Sequence, residues 1–205
     1  MAEKLVKLMT EEYMEEHLDE LNWKEVCLYQ KLSVDFITRH LKQIDFPSLS
    51  VNPYITFEIL DKFSNKISWS SISLNGKALT KAVMYNYRNK LIWTLVLSHQ
   101  QLDLEFLIHM SETMRKSRSK NAKEFWKAVS RYQDIDNTYI KYYRRYIDFK
   151  ELSANIRISE DVIDKFFDVL DPQIIVKHRD LSKDLLTKYR KEFDAAIKKN
   201  MASNK

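Results

Sequence analysis

Apolar residues recur along the chain in a pattern that repeats about every 23 residues. Each segment has apolar positions three, four, seven and eleven residues after a Ser, Thr or Asp, as in Val162, Ile163, Phe166 and Leu170 after Ser159. This spacing places the apolar side chains on one stripe of an α-helix. A Ser, Thr or Asp before such a stripe caps the helix by accepting a hydrogen bond from a free backbone N–H. The pattern predicts eight capped helices, with caps at Thr10, Ser33, Thr56, Thr80, Asp103, Asp136, Ser159 and Ser182.

A second apolar element follows each of the first seven stripes. It opens thirteen residues after the cap, and the fifth segment reaches its opener only after a ten-residue insertion. An apolar residue stands three places after each opener, which predicts a second, shorter helix. WKEVCLYQ at residues 23–30 therefore recurs as WKAVSRYQ at residues 126–133 because the chain is a tandem array. The openers are Trp23, Phe46, Trp69, Trp93, Trp126, Phe149 and Pro172.

Each repeat is predicted to be a helix of about three turns, a tight corner, and a helix of one to two turns. Isolated helices this short are marginal in water, so neighbouring repeats must stabilise one another. We therefore predict an all-α protein: an α-solenoid of seven to eight helix–turn–helix repeats forming a single domain over residues 1–200. The segment after Ser182 is predicted to be a C-terminal capping helix, followed by a tail at 201–205. Local irregularity is expected at Gly76, at Pro172 and at the insertion.

The repeat resembles a known family. LSVDFITRHLKQIDFPSLS, ISEDVIDKFFDVLD and WKEVCLYQ are similar to a helical repeat of the form L-S-x-D-F-I, then D-W-x-x-I-S-x-Y-Q, found in tandem arrays in proteins of large DNA viruses and some phages. The resemblance covers about residues 8–195. It implies a virus-encoded protein and carries no catalytic residues.

Composition narrows the class of protein further. One Gly and three Pro in 205 residues leave few of the residues that sheets and phosphate-binding loops need. No apolar run approaches the length of a membrane-spanning helix, and the first residues match neither a signal nor a transit peptide. A soluble, intracellular protein is expected, in the cytoplasm of the host cell or in a virion, without membrane insertion. The single cysteine, Cys27, stands where sister repeats place Ser and is expected to be buried.

Candidate catalytic and metal-binding groups are few. His17 and His40 stand seven residues after their caps, where other repeats place stripe residues, so a packing role is expected for both. No pair of His or Cys residues has metal-ligand spacing, and no nucleophile motif is present. We therefore expect no enzymatic activity, no metal site and no cofactor.

Charge is distributed unevenly. Residues 1–20 carry seven acids and two lysines, a net charge of −5, whereas residues 111–150 carry eleven bases and five acids, a net charge of +6. The insertion, at about residues 111–123, is expected to be either a solvated loop or a protruding arm that binds phosphate or an acidic partner surface. The candidate binding residues are Arg115, Lys116, Arg118, Lys120 and Lys123 in the insertion, and Lys141, Arg144 and Arg145 in the next helix.

Three functions are compatible with these features. The first is a non-catalytic binding or scaffold protein that engages a protein partner. The second is nucleic-acid binding through the basic insertion and the adjacent helix. The third is self-assembly as a virion structural component, in which the acidic first repeat of one copy meets the basic middle of another.

Overall fold

The computed structural model describes residues 7–203. Within that range the chain forms sixteen α-helices and one 3-10 helix, with no strand, which confirms the all-α class. Glu3 and Lys4 of the acidic segment, and residues 204–205 of the predicted tail, lie outside the described residues. The helices are α1 (Glu11–Glu16), α2 (Trp23–Tyr29), α3 (Val34–Arg39), α4 (Phe46–Val51), α5 (Phe57–Lys62), α6 (Trp69–Leu74), α7 (Lys81–Asn86), α8 (Trp93–His99), α9 (Leu104–Arg115), α10 (Lys120–Tyr132), α11 (Asn137–Tyr142), α12 (Phe149–Ser153), α13 (Glu160–Lys165), α14 (Pro172–His178), α15 (Lys183–Lys188) and α16 (Arg190–Ser203), and the 3-10 helix is Leu18–Glu20.

All eight predicted caps are confirmed. Each predicted residue precedes the first residue of its helix, and its side chain accepts a hydrogen bond from the backbone N–H three residues later. At Asp136, for example, the carboxylate oxygen lies 2.7 Å from the Tyr139 nitrogen. Local sequence therefore determines where the first helix of each repeat begins.

These first helices are shorter than predicted. All of them except α9 have six residues, fewer than two turns. In these six-residue helices the residue seven after the cap is no longer in the helix; at Phe63, for example, ψ is 22°. A hydrogen-bonded turn follows, in which the Lys66 N–H donates to the Phe63 carbonyl at 2.8 Å. The Phe63 ring packs on Phe46, the opener of the preceding repeat, at 5.6 Å between centroids. Packing between repeats thus accompanies the early end of the helix.

The openers begin second helices in six of seven cases. Trp126 is the exception, since it lies inside α10. The irregularity expected at Pro172 is wrong: the residue occupies the first turn of α14, where Asp171 caps the Gln173 N–H. Proline is favoured there because that position has no intrahelical partner for an N–H.

The chain divides into two compact units, Met1–Val96 and Leu97–Lys205. In the first unit α2, α4 and α6 pack one on the next, and α3 packs on α5. In the second unit α10, α12 and α14 pack in the same order, α11 packs on α13, and α16 packs on α14 and α15. Helix α16 buries Phe193 and Ala196 and runs through Ser203, so the predicted tail is helical at residues 201–203.

Buried serine hydroxyls join neighbouring repeats. The Ser153 hydroxyl donates to the Phe149 carbonyl at 2.7 Å and accepts from the Asp171 N–H at 2.8 Å, so it links the end of α12 to the start of α14. Cys27 occupies the equivalent position, with its Sγ 3.3 Å from the Asp45 nitrogen. The same bridge is made by Ser50, Ser73 and Ser130.

Buried amide side chains make a second set of links. Asn155 donates from Nδ2 to the Ser130 and Gln133 carbonyls, at 2.9 Å each. These carbonyls lie at the C-terminal end of α10, where a helix leaves its acceptors without intrahelical donors. Asn52, Asn75 and Gln133 donate to the preceding repeat in the same manner.

Candidate functional site

The insertion lengthens two helices. We expected a loop or an arm between residues 111 and 123, but α9 continues to Arg115 and α10 begins at Lys120, with a turn at residues 116–119 between them. The extension is helical because its apolar residues have helical spacing and are buried: Met114, Ala122 and Phe125 are at most 2% exposed. Ser119 caps the new start of α10 at the Ala122 N–H.

An apolar groove of about 430 Å³ opens between α9 and α11. Its rim is made by Leu104 and Ile108 on α9 and by Tyr142 on α11, which are 59%, 42% and 66% exposed. Tyr139 and Tyr143 form the buried floor. The groove lies wholly within the second unit. Glu112, Asp136 and Thr138 complete its lining.

The fifth repeat lacks, beside the groove, a polar contact that three of its sisters make. Glu15, Asp61 and Asp164 stand five residues after their caps and bond the polar side chain seven residues after the next cap. In the fifth repeat that position is Ile108, which has no polar group to offer. Glu112, one turn further along the lengthened α9, accepts the Tyr143 hydroxyl instead at 2.9 Å. An apolar surface is therefore left open where other repeats form a polar contact.

The floor is uncharged and its hydroxyls are satisfied. The Tyr143 hydroxyl is held by Glu112, which also pairs with Arg115 at 2.6 Å. Burial, followed by the hydrogen bond and the charge of Glu112, raises the pKa of Tyr143, so this phenol remains a donor at neutral pH. The Tyr139 hydroxyl shares a hydrogen bond with the Ser111 hydroxyl, and burial raises the Tyr139 pKa as well.

Helices α9 and α11 run in the same direction. Ser111 contacts Tyr139, Glu112 contacts Tyr143, and the Arg115 carbonyl accepts a hydrogen bond from the Tyr146 hydroxyl at 3.4 Å. The contacting residues therefore follow one another in the same order along both segments. The groove therefore has two distinct ends. Leu104 and Asp136 mark the end at which both helices start. The other end lies where α9 finishes and where the Tyr146 hydroxyl contacts it.

All eight predicted basic residues are exposed, but they do not form one patch. Arg115, Lys116 and Arg118 lie at the end of α9 and in the turn after it. Arg145 follows Tyr142 by three residues, in the turn where the Tyr146 N–H bonds the Tyr143 carbonyl. None of these four bases lines the groove, but all four stand in the chain at or just after the C-terminal ends of the two helices that border it, and Arg115 pairs with the lining residue Glu112.

The other four predicted residues lie elsewhere. Lys120 and Lys123 belong to α10, which does not line the groove, and Lys141 is exposed on α11 without lining it. The Arg144 guanidinium covers the rings of Phe149 and Phe166, at 5.3 and 5.7 Å from their centroids. Arg144 is thus a packing residue between repeats.

The acidic first repeat uses part of its charge internally. Glu11 accepts hydrogen bonds from the backbone and hydroxyl of Ser33, and Glu15 pairs with Arg39 and His40. His40 also packs against the Trp23 ring at 5.3 Å, in agreement with a packing role. Glu12 and Glu16 are exposed.

The thiol of the single cysteine is part of the core. Cys27 is fully buried, and burial raises the pKa of its thiol to about 11, which suppresses the reactive thiolate. Among residues 7–203 no three His, Cys, Asp or Glu side chains are arranged to hold a metal ion. The same residues include no helix with the length and apolar character needed to cross a membrane.

The groove was not predicted from the sequence, although a signal for it is present. Leu104 and Ile108 lie one and five residues after their cap, outside the apolar stripe. Of the eight residues at the fifth position, Ile108 is the only aliphatic one, and Tyr142 is the only tyrosine at the sixth. An apolar residue at a position that sister repeats keep polar is the pattern to search for.

A second opening, of about 460 Å³, lies in the first unit. It is lined by Val51 and Pro53, by Leu74 at the end of α6, and by Lys77. Leu74 is 54% exposed, comparable to the rim of the α9–α11 groove.

Comparison with known proteins identifies no relative: no protein-family model matches the chain, and no curated protein or solved structure matches it.

Proposed function

We propose that the chain is a non-catalytic helical-repeat protein that binds a protein partner in the groove between α9 and α11. In this proposal the two units belong to one α-solenoid domain of seven to eight repeats over residues 1–200, and α16 caps the last repeat. Support for a solenoid within each unit comes from hydrogen bonds that join consecutive repeats in a fixed register, made by Ser153 and Asn155 in the second unit and by Ser50 and Asn52 in the first. The resemblance of the repeats to arrays in large DNA viruses and phages is the basis for proposing a viral origin.

One observation carries the proposed function: three large apolar side chains, Leu104, Ile108 and Tyr142, are exposed together along the rim of one groove. Leu104, Ile108 and Tyr142 each leave a large part of their side chain exposed, at 59%, 42% and 66%. Contiguous exposed apolar surface bounded by polar residues is typical of protein–protein contact sites. The satisfied hydroxyls of Tyr139 and Tyr143 add no unpaired polar group to the floor, so covering it with apolar side chains is favourable.

A non-catalytic role is supported by how reactive side chains are used. The thiol of Cys27 lies in the core, and His40 is held by Glu15 and two aromatic rings. Two carboxylates line the groove, and both are engaged: Glu112 is bonded to Tyr143 and Arg115, and Asp136 caps α11.

Peptide selection tests the proposal. A phage library of random 16-residue peptides is panned against the whole chain, against the I108E/Y142E variant, and against L74E as a control that places one charge in the other opening. We expect the wild-type and L74E proteins to enrich the same apolar sequence pattern and I108E/Y142E to enrich none. Enrichment by I108E/Y142E equal to that by the wild type, with all three proteins folded by circular dichroism, would contradict groove binding.

A further inference from the structure

The charges around the groove indicate the chemical character of the segment that it binds. We infer that the partner segment is amphipathic and acidic, with apolar side chains over Leu104, Ile108 and Tyr142 and carboxylates at the end marked by Arg115 and Arg145. This inference rests on the proposed function and adds the partner's charge and its direction in the groove.

The first support is a set of cations with no partner inside the described chain. Lys116, Arg118 and Arg145 are exposed and form no ion pair with any residue from 7 to 203. Arg115 is different, because Glu112 neutralises it. Three unpaired positive charges therefore follow the C-terminal ends of the helices that border the groove, where carboxylates of a bound segment that extends past its lining would pair with them at low salt.

The second support is the asymmetry of the groove. Asp136 caps α11 at the opposite end and lines the groove there. Because α9 and α11 are parallel, the two ends of the groove differ in charge. A segment that binds in the reverse direction therefore places its charged groups at the opposite end. An acidic group placed near Asp136 is repelled, whereas the same group near Arg145 is attracted, so a segment with carboxylates at one end binds in one direction.

The same observations disfavour a nucleic-acid strand in this groove. A strand needs cations along its path to contact successive phosphates and aromatic faces to stack its bases. Here Leu104 and Ile108 offer aliphatic side chains, and Tyr142 is the only exposed ring of the rim. Lys120 and Lys123 belong to a helix that does not line the groove.

A charge-exchange selection tests the inference. The peptide library is panned at 50 mM NaCl against the whole wild-type chain and against a K116E/R118E/R145E variant, with K120E/K123E as a control that reverses charges off the groove. We expect the wild type and the control to enrich peptides with acidic residues at one end of an apolar pattern. The triple variant should enrich the same apolar pattern with basic residues in place of acidic ones.

Binding of one synthetic wild-type-selected peptide is then measured by fluorescence anisotropy. Its affinity should weaken at least about tenfold for the triple variant and should fall between 50 and 300 mM NaCl. Enrichment of the same uncharged peptides by all three proteins would overturn the acidic partner and leave groove binding intact. If the wild type enriched no peptide pattern, both groove binding and the acidic partner would be overturned. Binding of a labelled (dT)20 strand that survives I108E/Y142E and is lost in the triple variant would assign these cations to nucleic acid and overturn the inference.

Discussion

The side-chain amide of Asn52 donates to the backbone carbonyl of Cys27, 2.7 Å away and 25 residues earlier in the chain. Both residues are buried, and the same amide also reaches the Gln30 carbonyl at 2.9 Å. This contact replaces the donors that the last carbonyls of α2 lack within their own helix. It makes α2 dependent on the next repeat for its hydrogen bonding as well as for its apolar packing, and Asn75 and Asn155 make the same contact with the ends of α4 and α10.

Removing one such buried amide should lower the free energy of unfolding more than removing an exposed amide does. Asn155→Ala leaves the Ser130 and Gln133 carbonyls without their donor, and an unsatisfied buried acceptor costs about 1–3 kcal/mol. We expect urea denaturation to report a loss in that range or above. Asn89→Ala, at an exposed asparagine, is the control and should change the free energy of unfolding by less than about 0.5 kcal/mol. Equal effects of the two substitutions would contradict a structural role for the amide.

The serine bridge should be interchangeable with the cysteine that replaces it. Cys27→Ser is expected to keep or raise stability, because a hydroxyl is a better acceptor than a thiol for the Asp45 N–H. Ser153→Ala removes both bonds of its hydroxyl and should cost about 1 kcal/mol or more. Thermal denaturation of the two variants provides the comparison.

The native thiol itself should be inert. Burial and a pKa of about 11 leave Cys27 with little thiolate at pH 8. A colorimetric disulfide reagent should label it at the rate of unfolding, and should label it at once in 6 M guanidinium. Rapid labelling of the folded protein would show that the side chain is accessible.

The Glu160–Ser182 contact should make stability depend on acid pH. Hydrogen bonds from the Ser182 hydroxyl and N–H, at 2.5 and 2.7 Å, lower the pKa of Glu160. A lowered carboxyl pKa contributes stability that is present above the ordinary pKa and is lost as pH falls through the folded value. Ser182→Ala removes the hydroxyl bond to Glu160 together with the α15 cap, so it should cost about 1 kcal/mol or more at pH 7. The part of this cost that comes from Glu160 should be lost towards pH 3, so the stability difference between the variant and the wild type should narrow there while the part from the cap remains. A gap that widens on acidification has the wrong sign for this contact.

Tyr87 should have the opposite dependence, at alkaline pH. Burial, with the hydrogen bond and charge of Asp61, raises the pKa of Tyr87 to about 12. Between its unfolded value near 10 and 12 the unfolded chain ionises first, so the stability that this phenol contributes is lost as pH rises. Tyr87→Phe should therefore be less stable than the wild type at pH 9 and closer to it at pH 11, by urea denaturation. A gap unchanged between the two pH values would contradict the raised pKa.

Gly76 can be replaced with a gain in stability. Its backbone is not in the left-handed region, and an added Cβ would meet no atom within 4 Å. Gly76→Ala restricts the unfolded chain and should stabilise the protein by about 0.4–1 kcal/mol, measured by urea denaturation at constant m-value. A loss of stability would mean that the turn after α6 needs the flexibility of glycine.

Features encoded locally were predictable from the sequence. The caps from Thr10 to Ser182 follow from residue type and spacing, because the hydrogen bond that each makes spans three residues. The buried positions three residues after each opener, such as Val26 and Leu152, follow from helical periodicity. The sequence did not predict that each first helix ends early, at residues such as Phe63. This early end accompanies contacts with a ring in another repeat, which local sequence does not specify.

The candidate site depends on such longer-range contacts and was mostly missed. Charge alone indicated the basic residues, but it did not show that Arg144 covers two rings or that Lys120 and Lys123 lie on a helix outside the groove. The insertion is rich in charged residues, which favoured a loop, whereas burial of Met114 and Phe125 makes it helical. The exposure of Ile108 and Tyr142 depends on how α9 and α11 pack, which no local pattern specifies.

Hydrogen–deuterium exchange with a selected peptide tests the central claim most directly, because it locates the occupant without any substitution. The account predicts slower exchange in residues 104–115 and 138–146 on saturation with the peptide, and unchanged exchange around Val51 and Leu74. Protection confined to other segments, or none at saturation, would contradict binding in the groove between α9 and α11.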